Sequence, residues 1–189
     1  MLLETIRCKD GIAHHLSYHQ DRLERSLRSL NIPINYDLKT LIFPPITGLY
    51  RCRFLYDAQH YTIEFHPYTP KAITSLKLIH ADHLKYSLKY VERSNITDLI
   101  KQREDCDDIL IIQNNLLTDT SIANIALYID GNWLTPKKPL LFGTTRARLI
   151  ANGTIIPTDL SAQDLSKATK FALMNAMIGF LEVENGIIH

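Results

Sequence analysis

The apolar residues of this chain come in short segments of period two, cut by turn formers before most of them could complete a long helix. Residues 49–56 and 61–66 alternate on either side of Asp57-Ala58-Gln59-His60 and predict a hairpin. Residues 2–7 predict a short strand stopped by the turn Lys9-Asp10-Gly11, and residues 72–80 predict another, set apart by the breakers Pro67 and Pro70. Further on, the apolar run 108–113 (DILIIQ) reads as a strand ending at the tight-turn pair Asn114-Asn115. Residues 122–129 read as one more, running into Asp130-Gly131, a pair suited to the positive φ angles of a two-residue hairpin turn. A chain punctuated in this way must bury its apolar side chains mainly in sheets.

Helical spacing is confined to a few windows. Ser17 and Gln20 have the form of a capping box, and Leu16, Leu23, Leu27 and Leu30 follow at helical spacing until Asn31 to Pro33 end the segment. Residues 94–103, 145–151 and 161–169 predict three more helices, the last with Ser161 and Asp164 as its capping pair. The pattern predicts an α+β fold with a mostly antiparallel, hairpin-rich sheet. A weak shift in composition near residues 67–74 suggests a smaller α/β part over 1–72 and a larger strand-rich part over 73–189.

Composition excludes several functions. Apolar residues make up 46% of the 189 and charged residues 22%, which is globular rather than disordered, and a formal net charge of +1 gives no basis for non-specific nucleic-acid binding. Cys8, Cys52 and Cys106 are widely spaced, with neither metal-ligand spacing nor a disulfide framework, and the histidines show no metal-site spacing. The start of the chain lacks a signal-peptide pattern, and no stretch approaches the ~20 apolar residues of a membrane helix. The expectation is a reduced, cytoplasmic protein with no membrane partner.

Four ordered segments carry a more specific signal. They are Glu4-Thr5-Ile6-Arg7 with His19-Gln20-Asp21-Arg22-Leu23; Leu88-Lys89-Tyr90-Val91-Glu92-Arg93; Leu117-Thr118-Asp119-Thr120-Ser121-Ile122-Ala123-Asn124-Ile125; and Leu134-Thr135-Pro136 with Leu140-Leu141-Phe142-Gly143-Thr144-Thr145-Arg146. Phe171 to Ala176 form a weaker fifth. In this order they resemble the motifs of the class IV (fold-type IV) pyridoxal-phosphate-dependent aminotransferases.

That resemblance implies a fold, a cofactor and roles for named residues. Pyridoxal 5′-phosphate needs an amine for a Schiff base, a carboxylate against its ring nitrogen and a cradle for a dianionic phosphate. By the match, Lys89 supplies the amine and is the catalytic residue; Lys85, four residues earlier, falls outside the motif. Asp119 stands where the family has Glu, against the ring nitrogen. Arg22 meets the phosphate with its guanidinium fork. Gly143, Thr144 and Thr145 open a helix whose N–H groups favour an anion, and Ser121 and Ile122 add contacts from the opposite hairpin. Asn124 is expected to brace the turn before it, Arg146 to organise its own, and Trp133 to pack in the core.

Arg93, four residues after Lys89, agrees with the aminodeoxychorismate lyase branch, whereas the branched-chain aminotransferases have a tyrosine shortly after the lysine. The resemblance therefore implies release of pyruvate from an amine substrate to leave 4-aminobenzoate, a folate-pathway reaction. The alternatives are an aminotransferase acting on a D-amino or branched-chain amino acid, a non-catalytic pyridoxal-phosphate binder, and an interaction protein without a cofactor. Relative to the family pattern the front half is shortened. The resemblance also implies a homodimer.

Overall fold

A computed structural model describes residues 1–183 and 187–188. The chain divides into two compact units. Met1–Pro70 and Leu88–Glu92 make up the first, Lys71–Ser87 and Arg93–His189 the second.

The first unit is one sheet with helices on one face. Its elements are β1 (Leu2–Lys9), β2 (Ile12–Ala13), α1 (Leu16–Ser29), α2 (Leu38–Leu41), β3 (Leu49–Tyr56) and β4 (Tyr61–Pro67), with sheet order β2-β1-β3-β4. The predicted hairpin is β3–β4, antiparallel from Tyr50 opposite Pro67 to Tyr56 opposite Tyr61. β1 alternates strictly: Leu2, Glu4, Ile6 and Cys8 are buried and the residues between them half-buried. The inward face of α1 carries Leu23 and Leu27 but also His19, Arg22 and Ser26, so three polar side chains enter this core.

The capping box expected at Ser17 and Gln20 does not form. The helix starts two residues earlier than a Ser17 cap would start it, behind His15 in a left-handed conformation (φ 56°), and no side chain caps it. Gln20 works elsewhere, donating to the Tyr36 carbonyl (2.9 Å) and accepting from the Leu38 N–H (3.0 Å), which ties α1 to the start of α2. At the other end Asn31 takes φ 56°. The N–H groups of Asn31 and Ile32 reach back to Arg28 and Leu27, a Schellman ending.

The second unit contains β5 (Ser75–His80), α3 (Ser94–Ile100), β6 (Asp108–Gln113), β7 (Leu116–Thr120), β8 (Asn124–Ile129), β9 (Asn132–Pro136), α4 (Thr144–Ala151), β10 (Ile156–Thr158), β11 (Lys170–Asn175), β12 (Gly179–Val183) and β13 (Ile187–Ile188), with a short 3₁₀ helix over Ala162–Lys167. The strands form one sheet along β10-β9-β8-β7-β6-β5-β13, with β11 joining β8 to β12. The sheet is mixed, because β5 runs parallel to β6 and β9 parallel to β10.

β6 is an unbroken apolar run because both its faces are covered. Leu110 and Ile112 enter the core with Leu117, Ile125 and Leu173, while Ile109 and Ile111 meet Ile79 and Leu140. Asp130 (φ 49°) and Gly131 (φ 80°) turn β8 into β9, and Asn114 and Asn115 turn β6 into β7, as expected. The predicted capping box at Ser161 and Asp164 is present, but on a 3₁₀ helix. Trp133 lies at the core edge, half-buried between Tyr128 and Phe180. The three cysteines are free and buried. Among the described residues, no helix is long and apolar enough to cross a membrane.

Candidate active site

The sequence-derived residues fall into two groups, one in each unit. In the first unit Lys89 is brought beside β1: its carbonyl accepts the Leu3 N–H (2.9 Å), Val91 N–H donates to Met1 (3.2 Å), and Tyr90 bridges Leu2. Leu88 and Tyr90 pack on the first core, which draws this short segment into the first unit. Lys89 is half-buried, whereas Lys85 is exposed.

Next to Leu3 on the same strand, Glu4 is fully buried and is the hub of a charged cluster. It accepts from Arg22 Nε (2.8 Å) and Nη2 (2.6 Å) and from His19 Nδ1 (2.6 Å). Burial alone would raise its carboxyl, but the charge of Arg22, then the hydrogen bonds from His19 and Arg22, hold it at about 2. Burial pushes the His19 imidazole down, Glu4 opposes the fall, and Arg22 and Lys89 add to it. The imidazole is therefore neutral beside an ionised Glu4, so Nδ1 carries the hydrogen that Glu4 accepts. Arg22, assigned from sequence to a phosphate, spends its Nε–Nη2 edge on Glu4. In the sequence, Glu4 stands out only as part of a motif.

In the second unit Asp119 and Asn124 face each other as a cross-strand pair, closing β7 onto β8 around the end of β7 at Thr120 and the loop 121–123. Thr120 holds that loop: its N–H donates to the Ala123 carbonyl (2.9 Å), and its hydroxyl accepts from the Ile122 and Ala123 N–H groups (3.3 and 3.1 Å). Arg93 Nη2 donates to the Ser121 carbonyl (3.1 Å). The arginine that agrees with the lyase branch thus also braces this loop. Ser121 is buried and Ile122 half exposed.

Both Asp119 oxygens are taken by neutral donors. Asn124 Nδ2 donates to Oδ1 (2.7 Å) and the Leu141 N–H to Oδ2 (2.8 Å). The other Nδ2 hydrogen of Asn124 reaches the Leu141 carbonyl (2.8 Å). Burial raises the Asp119 carboxyl to about 7, against the Leu141 and Asn124 hydrogen bonds and the charge of Arg146. Asn124 is thus a carboxylate clamp, and its backbone pairs with Asp119 across the turn.

Gly143 precedes α4 with φ −67°, an angle any residue adopts. The glycine is needed for space, since an added Cβ would collide with Asn124 Oδ1. Gly143→Ala should push the Asn124 amide off Asp119 and destabilise the fold by about 1–3 kcal/mol, read from the shift in a urea unfolding midpoint; an unchanged midpoint would mean that the amide yields freely. Thr144 and Thr145 are buried at the start of α4, and Ala147 is the first residue whose N–H bonds within the turn, to Gly143 O (2.9 Å). The N–H groups of Thr144, Thr145 and Arg146 have no intrahelical acceptor, which makes this end suited to an anion. Arg146 Nη2 donates to the Pro136 carbonyl (2.8 Å) and its guanidinium lies over the Phe142 ring, an organising role as expected.

Comparison with known proteins shows the family. The family model for amino-transferase class IV matches residues 57–185. A Haemophilus influenzae protein of no assigned function is 35% identical over 184 residues, covering 94% of this chain and 98% of that one. A crystal structure from Haemophilus somnus, provisionally named a 4-amino-4-deoxychorismate lyase, is 38% identical with a TM-score of 0.88, over 94% of this chain and 96% of that one. A hypothetical aminotransferase of Mycobacterium tuberculosis, solved with α-ketoglutarate and PMP, shares the fold at a TM-score of 0.79 and 16% identity, over 100% of this chain and 82% of that one. The chain belongs to the class IV aminotransferases, a family of enzymes known for its dependence on pyridoxal phosphate.

Proposed function

We propose that this protein binds pyridoxal 5′-phosphate through Lys89 and acts on an amine substrate as an aminodeoxychorismate-type lyase, releasing pyruvate and leaving 4-aminobenzoate. The observation that carries the reading is Asp119. It is a buried carboxylate that only neutral donors hold, raised to about 7, and it therefore suits a cationic partner such as a protonated ring nitrogen. The start of α4, with donors that no helical carbonyl takes and hydroxyls from Thr144 and Thr145, suits a phosphate. The residues fit the cofactor on both counts.

When bound, pyridoxal phosphate supplies an electron sink for charge that develops beside the substrate nitrogen. The remaining work is done by the chain. Asp119 keeps the ring nitrogen protonated, with its carboxylate fixed by Asn124 and Leu141. Arg22, steadied by Glu4, and the N–H groups of Thr144 and Thr145 bind the phosphate, with Ser121 and Ile122 adding contacts. Lys89 takes a proton from the amine-bearing carbon and returns one to the departing three-carbon unit. The lyase reading draws on the name carried by the 38% identical Haemophilus somnus protein.

Two measurements test the proposal. After borohydride reduction with pyridoxal phosphate, mass spectrometry should place the adduct on Lys89; an adduct on Lys85 overturns the residue assignment, and no adduct overturns the cofactor. Incubation with aminodeoxychorismate should yield 4-aminobenzoate with no 2-oxo acid present. Amino-group transfer to a 2-oxo acid, without 4-aminobenzoate, would replace the lyase with an aminotransferase.

A further inference from the structure

We infer that Asn124 is a positioning residue whose amide sets the aim and charge of Asp119, with Gly143 as the space that lets it do so. The inference rests on the reading of Asp119 as partner of the ring nitrogen, and goes beyond it.

Three contacts form a closed ring. The Leu141 N–H donates to Asp119 Oδ2, the Leu141 carbonyl accepts from Asn124 Nδ2, and the second Nδ2 hydrogen goes to Asp119 Oδ1. Both hydrogens of the amide are used, so its Nδ2 cannot turn away without breaking two bonds. Its Oδ1 sits where a Gly143 side chain would be, which fixes the amide from the remaining side. Asn124 is buried and its backbone is paired opposite Asp119, so the clamp does not depend on a mobile side chain.

The ring decides two properties at once. It orients the carboxylate, because each oxygen has one defined donor. It also favours the ionised form, because an anion accepts these hydrogen bonds more strongly than a neutral acid does. Without the Asn124 amide, Asp119 would lose its one side-chain donor and hold its proton at higher pH. A neutral acid cannot form an ion pair with a ring N–H⁺.

The test compares two probes on the full apo-chain: pyridoxal 5′-phosphate, and its carbocyclic analogue in which the ring nitrogen is replaced by C–H. The two present the same aldehyde and phosphate, so their affinity ratio isolates the ring nitrogen. Asp119→Asn is the reference and should collapse the ratio. Asn124→Ala should lower it by about tenfold, the effect of one charge-assisted hydrogen bond. Gly143→Ala should lower it in the same direction with Asn124 still present, which decides the matter if Asn124→Ala does not fold. Equal weakening of both probes in the folded variants, with a collapsed ratio in Asp119→Asn, would overturn the inference and leave Asn124 a loop brace. A ratio unmoved in Asp119→Asn would instead overturn the ring-nitrogen assignment on which it rests.

Discussion

Lys89→Ala is expected to lower turnover by about 10³–10⁴-fold and to abolish the borohydride-trapped adduct, while leaving the melting temperature within a few degrees of the parent. The asymmetry follows from how the residue is held. Its backbone carbonyl accepts the Leu3 N–H, and the neighbours Leu88 and Tyr90 pack on the core. Truncation therefore removes the amine and spares the segment. Lys89→Arg should be equally inactive, since a guanidinium does not deprotonate in the working range. Added ethylamine should restore a measurable part of the rate to Lys89→Ala, because the missing part is an amine of modest size. Retention of more than a tenth of the parent rate by either variant would rule Lys89 out.

Glu4→Ala should produce the largest loss of stability among single changes in the first unit, about 3–5 kcal/mol, with a fall in melting temperature of about 10–15 °C. The substitution leaves the Arg22 guanidinium and the His19 Nδ1–H buried without their acceptor. Glu4→Gln keeps an acceptor oxygen and the shape, so its loss should be smaller. The two differ in pH response. The Glu4 carboxyl lies at about 2 in the fold against an ordinary 4.5, so its contribution is complete above pH 4.5 and is lost as pH falls through 2. Integrated over that interval the loss is about 3 kcal/mol. His19, held below its ordinary 6.5, acts in the same direction as pH falls below that value. Denaturant midpoints across pH 2–7 should show an acid limb in the parent that flattens in Glu4→Gln; parallel limbs would show that the cluster contributes nothing.

The strands that sequence revealed are those whose burial is apolar. β6 announces itself with four consecutive aliphatic residues, and β3 and β4 with clean alternation. β7 passed unnoticed because its buried positions include Thr118, Asp119 and Thr120, which carry no hydrophobic signature; their hydroxyls and carboxylate are satisfied locally instead. Glu4 was hidden in the same way. It occupies an inward position of an otherwise apolar face, and its partners come from a helix 15 and 18 residues further on. The attachment of Leu88–Glu92 to the first unit is not local at all, since it depends on pairing with residues 1–3. The capping box failed because Gln20 found better acceptors and donors at residues 36 and 38. Motif resemblance supplied the site residues but not their interplay. That Asn124 and Leu141 clamp Asp119, and that Gly143 is a matter of space, became visible only with the chain folded.

The four-residue connection between Asp119 and Asn124 also governs how this chain can change length in evolution or by design. Side chains alternate between the faces of a strand, so one added or deleted residue in 120–123 would carry Asn124 to the opposite face and put a neighbour in its place. The Asp57–His60 connection positions no site side chain, its ties being the Tyr36 hydroxyl and its own turn bonds, and exposed turns of that kind absorb extra residues at a cost that grows slowly with length. Tolerance to indels should therefore be sharply uneven, with the link between Asp119 and Asn124 the less negotiable of the two.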